Sequence, residues 1–347
     1  LRLDAVHALH DERAIHILEE FAVETDRCAA ELGKPLFLIA ESDLNNPRLI
    51  APRSAGGYGL AGQWSDDFHH AVHSLLTGET DGYYADFGRL QHLEKALRDV
   101  FVYDGSFSEH RKRRHGAPVG SLDGSRFVIA IQNHDQVGNR MLGERLGALV
   151  SFEKQKLAVG LLLLSPFLPL IFMGEEHAES APFLYFTSHS DRDLVEGVRR
   201  GRREEFSGFS WKGEPPDPQD PQTFERSKIE HSVDSEGNAA VMAELYRTLL
   251  ALRREKPALR ETDRRMGEVR MVGDRLDLIR RSSTGPAILV AFNFGEEPAA
   301  VDFERFRTLL DSSSAEWSPG GGSPTTGNQL APHSFIIYEI EKGGDPG

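Results

Sequence analysis

The chain has 347 residues, of which 39% are hydrophobic and 27% charged, proportions that are typical of a soluble globular protein and exclude wholesale disorder. Acidic residues outnumber basic residues by 54 to 40, and the net charge of −14 argues against nucleic acid or an anionic membrane as the main partner. The single cysteine, Cys28, excludes an internal disulfide.

The first predicted elements are a short strand and a helix. The strand covers residues 1–3 and has no preceding Met or signal peptide, so we expect a segment of a longer protein. Apolar residues then recur at three- and four-residue spacing over residues 12–32, which predicts an amphipathic helix with Cys28 on its apolar, core-facing side. Asp11 is a suitable cap for its start and Gly33 for its end.

Three continuous apolar runs follow along the chain, and each leads directly into polar residues. They are 36–40 before Glu41, 126–131 before 132–136, and 170–173 before 174–176. Such runs are typical of strands buried on both faces of a parallel sheet, and a helix is predicted between the last two at 151–165. Polar residues beyond parallel strands share one edge in a (β/α)8 barrel and in an open doubly wound sheet alike, so the pattern leaves both folds open.

The stretch 157–174 is nearly free of polar groups and raises the question of a membrane span. A span needs about 20 apolar residues. Pro166 and Pro169 interrupt this shorter stretch, and charged residues flank it. We therefore predict a buried helix, a proline break and a buried strand, and no membrane partner.

The remaining segments differ in amino-acid composition. Residues 102–125 are rich in Gly, Ser and Arg and predict a long loop, and the proline-rich residues 214–222 predict irregular structure. A helix is predicted at 237–255. From about residue 262 onward, short apolar runs alternate with turn residues, which indicates an antiparallel β domain, with a mobile loop at 312–328.

Three acidic residues, Asp4, Glu41 and Asp135, each follow a predicted parallel strand. We therefore expect them to meet at one edge of the sheet. Glycoside hydrolysis uses such carboxylates: an ionised one attacks or stabilises the anomeric carbon, and a protonated one donates to the leaving oxygen. A third acidic group can stabilise the oxocarbenium-like transition state. The pattern predicts a site but does not by itself name the reaction.

The sequences around these carboxylates resemble the α-amylase superfamily, in residues 2–7, Glu41 and residues 133–135. Longer strings resemble one of its families, the malto-oligosyltrehalose trehalohydrolases, and they lie at 40–45, 63–70, 134–140 and 216–221. The resemblance covers essentially the whole chain. It implies an α/β fold in which residues 1–261 form the C-terminal half of a (β/α)8 TIM barrel and residues 262–347 form a small antiparallel β domain.

The resemblance also implies an activity and roles for residues. The activity is retaining hydrolysis of the α-1,4 bond next to the trehalose unit of maltooligosyltrehalose, which releases trehalose in its biosynthesis. Asp4 would be the nucleophile, Glu41 the general acid/base and Asp135 the transition-state stabiliser, while the charge of Arg2 would keep the nucleophile ionised. Further substrate contacts are implied for His7, Trp64, Asp66, Asp67, His69, His70, His134, Gln136 and Asn139.

Several alternatives remain open at this point. Trp64 is expected to be a sugar-stacking platform, but core packing is an equal alternative, and His69 and His70 have an equal claim to a structural role. An α-1,4-glucan branching enzyme, or another transglycosylase of the superfamily, would carry the same carboxylates and differ in its acceptor. A non-catalytic binding module would be expected to have lost a carboxylate, whereas all three are present.

We expect no metal and no cofactor, because the hydrolysis needs neither and the histidines at 69, 70 and 73 lack a zinc-site pattern. The basic run 111–115 has no interleaved aromatic residues, so we interpret it as a loop over the sugar cleft rather than a nucleic-acid site. The expected partner is an oligosaccharide substrate in a cytoplasmic enzyme, and the sequence does not specify an oligomeric state.

Overall fold

The structure is a computed structural model that describes residues 1–206, 209, 211, 213–229, 236–301, 306–319 and 329–340. Its strands are β1 (Arg2–Leu3), β2 (Ile39–Ala40), β3 (Gly62–Trp64), β4 (Asp104–Ser108), β5 (Arg113–Gly116), β6 (Phe127–Ile129), β7 (Leu168–Pro169), β8 (Gly267–Val272), β9 (Arg275–Arg280), β10 (Ile288–Asn293), β11 (Ala299–Ala300), β12 (Phe306–Asp311), β13 (Gln329–Leu330) and β14 (Phe335–Ile340). Its α-helices are α1 (Ile17–Leu32), α2 (Asp66–Thr77), α3 (Leu90–Asp99), α4 (His134–Gly138), α5 (Leu146–Leu149), α6 (Phe152–Leu164), α7 (Arg192–Glu205), α8 (Pro221–Glu225), α9 (Gly237–Glu255) and α10 (Pro257–Arg260).

Five short strands form a parallel sheet in the order β1-β2-β3-β6-β7. Each of the four neighbouring pairs is parallel, and α-helices lie between successive strands along the chain except between β2 and β3, where the connection has only short 3-10 turns. The carboxyl ends of all five strands therefore lie along one edge, which we call the carboxyl edge. The predicted α/β sheet is confirmed, while its membership of half a (β/α)8 barrel stays a prediction.

Two strands of this sheet differ from the sequence prediction. β3 was not predicted, because its three residues are too few to show a pattern. The last strand lies at Leu168–Pro169 rather than at 170–173, and beyond Leu170 the chain leaves the sheet, with Ile171 37% and Met173 46% exposed. The prediction that the apolar run 170–173 forms a strand buried on both faces was therefore wrong.

The helix predicted at 12–32 begins later, at Ile17, and its predicted end is confirmed. His16 is the N-cap, and its Nδ1 accepts a hydrogen bond from the backbone N–H of Leu18 at 3.2 Å. Asp11 still contributes to the start, because its carboxylate accepts from the N–H of Ile17 at 2.7 Å. Gly33 ends the helix in the left-handed conformation at φ 59°, which a glycine adopts without steric cost.

The loop predicted at 102–125 contains a two-stranded antiparallel hairpin, β4 and β5, and that prediction was wrong. Gly116 makes the hairpin possible: its φ is +73°, and a Cβ there would lie 1.9 Å from the carbonyl oxygen of Tyr103. The proline-rich segment 214–222 is irregular as predicted up to Pro221, where α8 begins. Asp220 caps that helix through a 2.9 Å bond from the N–H of Gln222.

Helix α6 confirms the helix predicted at 151–165 and lies at the centre of the molecule. Its second half is buried on every side and belongs to the main hydrophobic core together with α9 and the antiparallel sheet. Gly160 permits this packing, because a Cβ at that position would lie 2.8 Å from the ring of Phe335. None of the helices that the structure describes has both the length and the apolar composition to cross a membrane.

The C-terminal part of the chain, from Gly267 to Ile340, contains an antiparallel sheet in the order β12-β14-β10-β9-β8, as its turn-separated runs predict. It is anchored to α6 by Lys156, whose buried Nζ donates to the carbonyl oxygens of Ser312 at 2.6 Å and Trp317 at 2.7 Å. Arg280 likewise donates to the carbonyl of Leu164. Of the predicted loop 312–328, residues 315–317 form a helical turn, and residues 320–328 lie outside the described part of the chain.

Candidate active site

The first part of the site is built where β1 and β2 end. The Glu41 carboxylate accepts a hydrogen bond from the backbone N–H of Ala5 at 2.5 Å, and the Glu41 carbonyl accepts from the N–H of Val6 at 3.1 Å. Ala5 is held in the left-handed region at φ 43°, a conformation that costs a non-glycine residue about 1 kcal/mol or more. These contacts turn the chain just after Asp4 and hold Glu41 beside it.

Arg2 brings the three predicted carboxylates together. Its Nη2 lies 2.7 Å from Asp4 Oδ1, 3.9 Å from Glu41 Oε2 and 3.9 Å from Asp135 Oδ2. Three like charges at such a spacing repel one another, and a guanidinium among them offsets that repulsion. The convergence that the strand pattern predicts is therefore observed, around one nitrogen atom.

The three carboxylates differ in their access to solvent. The side chain of Asp4 is 77% exposed and that of Asp135 50%, whereas that of Glu41 is only 15% exposed. A ligand that approaches the carboxyl edge can therefore reach Asp4 and Asp135 directly, with Glu41 set deeper between the strands. The arrangement can present an exposed carboxylate and a more enclosed one to the two atoms of a single ligand bond.

Asp135 is positioned by the helix end on which it lies. Asn133 caps α4, and its side-chain oxygen accepts from the N–H groups of Asp135 at 2.9 Å and Gln136 at 3.0 Å. The neighbouring His134 is 45% exposed, with its Nε2 at 3.5 Å from Asp135 Oδ1. The short helix thus fixes Asp135 and leaves the imidazole of His134 open to a ligand.

Trp64 lies beneath the carboxylate cluster rather than in the open cleft. The Arg2 guanidinium carbon is 4.4 Å from the centre of its ring, and His134 meets it edge-on at 6.3 Å between centroids. Trp64 is 7% exposed. Packing under Arg2 therefore replaces the expected sugar-stacking platform: the ring supports the arginine that gathers the carboxylates.

Asp66 and Gln136 form a second polar layer next to the cluster. Gln136 Nε2 donates to Asp66 Oδ1 at 3.3 Å. Burial, followed by the charges of Glu41 and neighbouring carboxylates, raises the pKa of Asp66 to about 7. Near neutral pH this carboxyl is thus partly protonated and can act as donor or acceptor toward a hydroxyl.

Asp67 and His69 are buried and bonded within the protein, whereas His70 is partly exposed, and the substrate contacts implied for all three stay predictions. Asp67 Oδ2 accepts from Asn45 Nδ2 at 2.9 Å and from the N–H groups of residues 102 and 103, while burial raises its pKa to about 6. Both ring nitrogens of His69 are engaged, with the Ile131 carbonyl and the Tyr84 hydroxyl, each at 2.8 Å. His70 packs among aromatic rings, and burial lowers its pKa to about 3.

The last two predicted contacts lie at the rim of the cluster. His7 Nδ1 is 3.9 Å from Asp43 Oδ1, so its ring stands beside the segment that follows β2. Asn139 is already engaged by the protein, because its side-chain oxygen accepts from Arg202 Nη1 at 3.1 Å. His7 is thus available to a ligand, and Asn139 is partly committed to holding the loop.

Sequence reasoning missed a buried ion-pair network beside the site. Glu79 forms two hydrogen bonds with Arg140, at 2.7 and 2.9 Å, and a third with His73 Nε2 at 2.7 Å. Arg140 lies in the string 134–140, which drew attention to that position without indicating an ion pair. Its partner Glu79 carries no local signal, since nothing in the sequence shows which distant acid meets an arginine.

The basic run 111–115 lies on the hairpin β4–β5 and contacts the segment that follows β2, while its position over a sugar cleft stays a prediction. Arg111 pairs with Asp43 at 3.0 Å, and His115 Nε2 lies 2.7 Å from the Asp43 carbonyl oxygen. Among the described residues, no group of three or more His, Cys, Asp or Glu side chains is placed to hold a metal ion.

A parallel sheet that carries three carboxylates on its carboxyl edge, backed by an antiparallel sheet, defines an α-amylase-type domain. A Salmonella typhimurium protein provisionally called an alpha amylase matches 98% of this chain at a TM-score of 0.85 and 33% identity, over 57% of its own length. The alpha-amylase from H. orenii shares the fold at a TM-score of 0.53 and 18% identity, over 98% of this chain and 60% of that one. The chain is therefore similar, in fold and in sequence, to a protein of the α-amylase superfamily.

Within that superfamily the chain is similar to the malto-oligosyltrehalose trehalohydrolases. It is 48% identical to the Rhizobium sp. (strain M-11) protein over 91% of this chain and 53% of the relative. It is 51% identical to the Brevibacterium helvolum protein over 74% of this chain and 44% of the relative. The chain thus spans about half the length of the curated relatives it matches. Residues 264–337 also match a family model described as a domain of unknown function, DUF3459.

Proposed function

We propose that the protein carrying this chain is a retaining glycoside hydrolase that cleaves the α-1,4 bond next to the trehalose unit of maltooligosyltrehalose and releases trehalose, as a step of trehalose biosynthesis. The observation that carries the proposal is the placement of Asp4, Glu41 and Asp135 within 4 Å of Arg2 Nη2. The names of the curated relatives support the choice of substrate.

In this mechanism Asp4 attacks the anomeric carbon and forms a covalent glycosyl intermediate, while Glu41 protonates the leaving glycosidic oxygen. Glu41 then removes a proton from water, which hydrolyses the intermediate with net retention. Asp135 stabilises the oxocarbenium-like transition states, and Arg2 offsets the charge of the cluster. His134 and His7 are the exposed side chains that contact sugar hydroxyls, with Asp66 and Gln136 behind them.

The proposal includes the architecture and setting. The parallel sheet is the C-terminal half of a (β/α)8 barrel over residues 1–261, followed by a β domain over 262–347, in a cytoplasmic enzyme. The alternative is an α-1,4-glucan branching enzyme or another transglycosylase with the same carboxylates. The two differ in whether water or a sugar hydroxyl accepts the glycosyl unit.

The test uses the protein expressed from its complete reading frame, with maltotetraosyltrehalose and maltohexaose as separate substrates. Release of free trehalose from the first, with little action on the second, is the expected result. Formation of α-1,6 branches or redistribution of chain lengths would instead establish the transferase.

Two variants test the assigned roles. Asp4→Asn is expected to lower kcat by about a thousandfold or more, because the nucleophile is lost. Glu41→Gln should lower the rate strongly on the natural substrate and far less on an activated aryl glycoside, whose leaving group needs no proton. Glu31→Gln, which changes an exposed carboxylate on α1, is the matched control and should act as the parent. Near-normal turnover by Asp4→Asn would show that the nucleophile is assigned wrongly.

A further inference from the structure

We infer that Tyr185 is a further sugar-binding residue, a stacking platform for the α-glucan portion of the substrate outside the carboxylate cluster. The inference rests on the proposed function, since it names where the remaining sugar units of that substrate lie. The ligand it requires is a chain of α-1,4-linked glucose units.

Contacts through Arg202 link Tyr185 to the helix that carries Asp135. Tyr185 belongs to the segment that leaves the parallel sheet after β7. The Arg202 guanidinium carbon lies 4.5 Å from the centre of the Tyr185 ring. Arg202 Nη2 donates to the Gly138 carbonyl at 2.9 Å. Gly138 is the last residue of α4, which carries Asp135 and spans about 7 Å, so the ring is joined to the site by two direct contacts.

The ring is held rigidly on one side. Arg202 is 8% exposed and sits between the rings of Tyr185 and Phe206, the second at 4.7 Å. It also pairs with Glu205 at 2.7 Å. A guanidinium fixed by this many contacts has little freedom, and a ring stacked on it loses little entropy when a ligand arrives.

The other side of the ring is accessible. Tyr185 is 41% exposed, and among the described residues Arg202 is the only cation or aromatic ring that stacks on it. A glucose ring has C–H groups on its faces and hydroxyls on its edge. Its apolar face therefore covers an exposed aromatic ring while its hydroxyls stay in water, and the phenol oxygen adds a hydrogen-bonding group.

Two tryptophans at the site are unsuited to this task, which strengthens the assignment. Trp64 is buried under Arg2. Trp211 has Arg140 on its ring at 4.8 Å and Phe209 stacked at 4.2 Å and 11°. Tyr185 instead combines a supported face with an exposed one.

The first measurement is native electrophoresis of the full protein in gels with and without soluble maltodextrin. The variants are Tyr185→Ala, Tyr185→Leu, which keeps an apolar side chain without the ring, and Leu250→Ala, an exposed control on α9. Both Tyr185 variants should lose most of the maltodextrin-dependent retardation, and Leu250→Ala should retain it. Retardation of both Tyr185 variants equal to that of the parent would overturn the inference.

The second measurement compares KM for maltotetraosyltrehalose and maltosyltrehalose. Tyr185→Ala should raise KM for the longer substrate about tenfold, equivalent to about 1.4 kcal/mol of binding, with kcat changed less than twofold. KM for the shorter substrate should stay near the parental value, because the inference places the platform beyond the end of its chain. An equal rise for both lengths, or none for either, would overturn the inference.

The two proposals fail separately. If Asp4→Asn keeps full trehalose release while Tyr185→Ala loses maltodextrin retardation, the catalytic assignment is wrong and the glucan contact stands. If Asp4→Asn is inactive while Tyr185→Ala matches the parent in both assays, the catalytic assignment stands and the platform is refuted.

Discussion

Replacing Glu79 by glutamine should lower the free energy of unfolding by about 3 kcal/mol at pH 7. Arg140 has only 4% of its side chain exposed and donates two hydrogen bonds to the Glu79 carboxylate, at 2.7 and 2.9 Å. Breaking a buried pair by removing one partner costs about 3–5 kcal/mol, because it leaves a buried charge without compensation. Two features favour the lower end: Glu79 is 25% exposed, and Glu144 remains 3.4 Å from Arg140 Nε.

The effect should depend on pH with a definite sign. Burial opposes ionisation of Glu79, but hydrogen bonds from His73 and Arg140 outweigh it and hold its pKa well below the usual 4.5. A carboxylate with a depressed folded-state pKa contributes stability that is fully present above about 4.5 and is lost as the pH falls below that value. The stability difference between the parent and Glu79→Gln should therefore be constant above pH 5 and shrink on further acidification.

Urea unfolding of the protein, followed by fluorescence and circular dichroism, measures both effects. Arg140→Met and the double variant complete a mutant cycle, in which the double variant should cost about 2 kcal/mol less than the sum of the single ones. A loss below about 0.5 kcal/mol for Glu79→Gln, the range of ordinary surface changes, would refute the reasoning. The reasoning would also be refuted if the costs of Glu79→Gln and Arg140→Met simply added up in the double variant.

Two further pairs of variants test the packing around α6 in the same unfolding assay. Lys156→Met leaves the carbonyls of Ser312 and Trp317 without their donor and should lower the free energy of unfolding by about 2 kcal/mol. Lys154→Met removes only a 4.0 Å contact with an exposed glutamate and should change that free energy very little. Equal costs would mean that the buried bonds do not anchor the sheet. Gly160→Ala should cost about 1–3 kcal/mol, because the new Cβ meets the Phe335 ring at 2.8 Å. Gly197→Ala on α7, with nothing within 4 Å of its Cβ, should stabilise by about 0.5–1 kcal/mol. A stabilising Gly160→Ala would show that the ring moves aside freely.

Hydrophobic periodicity anticipated the elements that are long and regular. The buried helix α6, the end of α1 at Gly33 and the paired strands of the antiparallel sheet all follow from patterns within a dozen residues. The short strands were harder to predict, because β3 has three residues and β7 has two, too few to show a periodic pattern. The hairpin β4–β5 escaped prediction because its strands are polar and lie on the surface.

The sequence by itself determined which residue types stand after the parallel strands, and so indicated that Asp4, Glu41 and Asp135 meet at one edge. The continuous apolar runs predict parallel strands, whose carboxyl ends share one edge of the sheet. Only the tertiary structure decided what each neighbouring residue does. Arg2 is the common partner of the carboxylates and Trp64 packs beneath it, while Asp67 and His69 form buried hydrogen bonds. The contacts that settle these roles join residues as much as 133 positions apart, as between Arg2 and Asp135. Burial and partner choice arise from packing of the whole chain, and no local pattern encodes them.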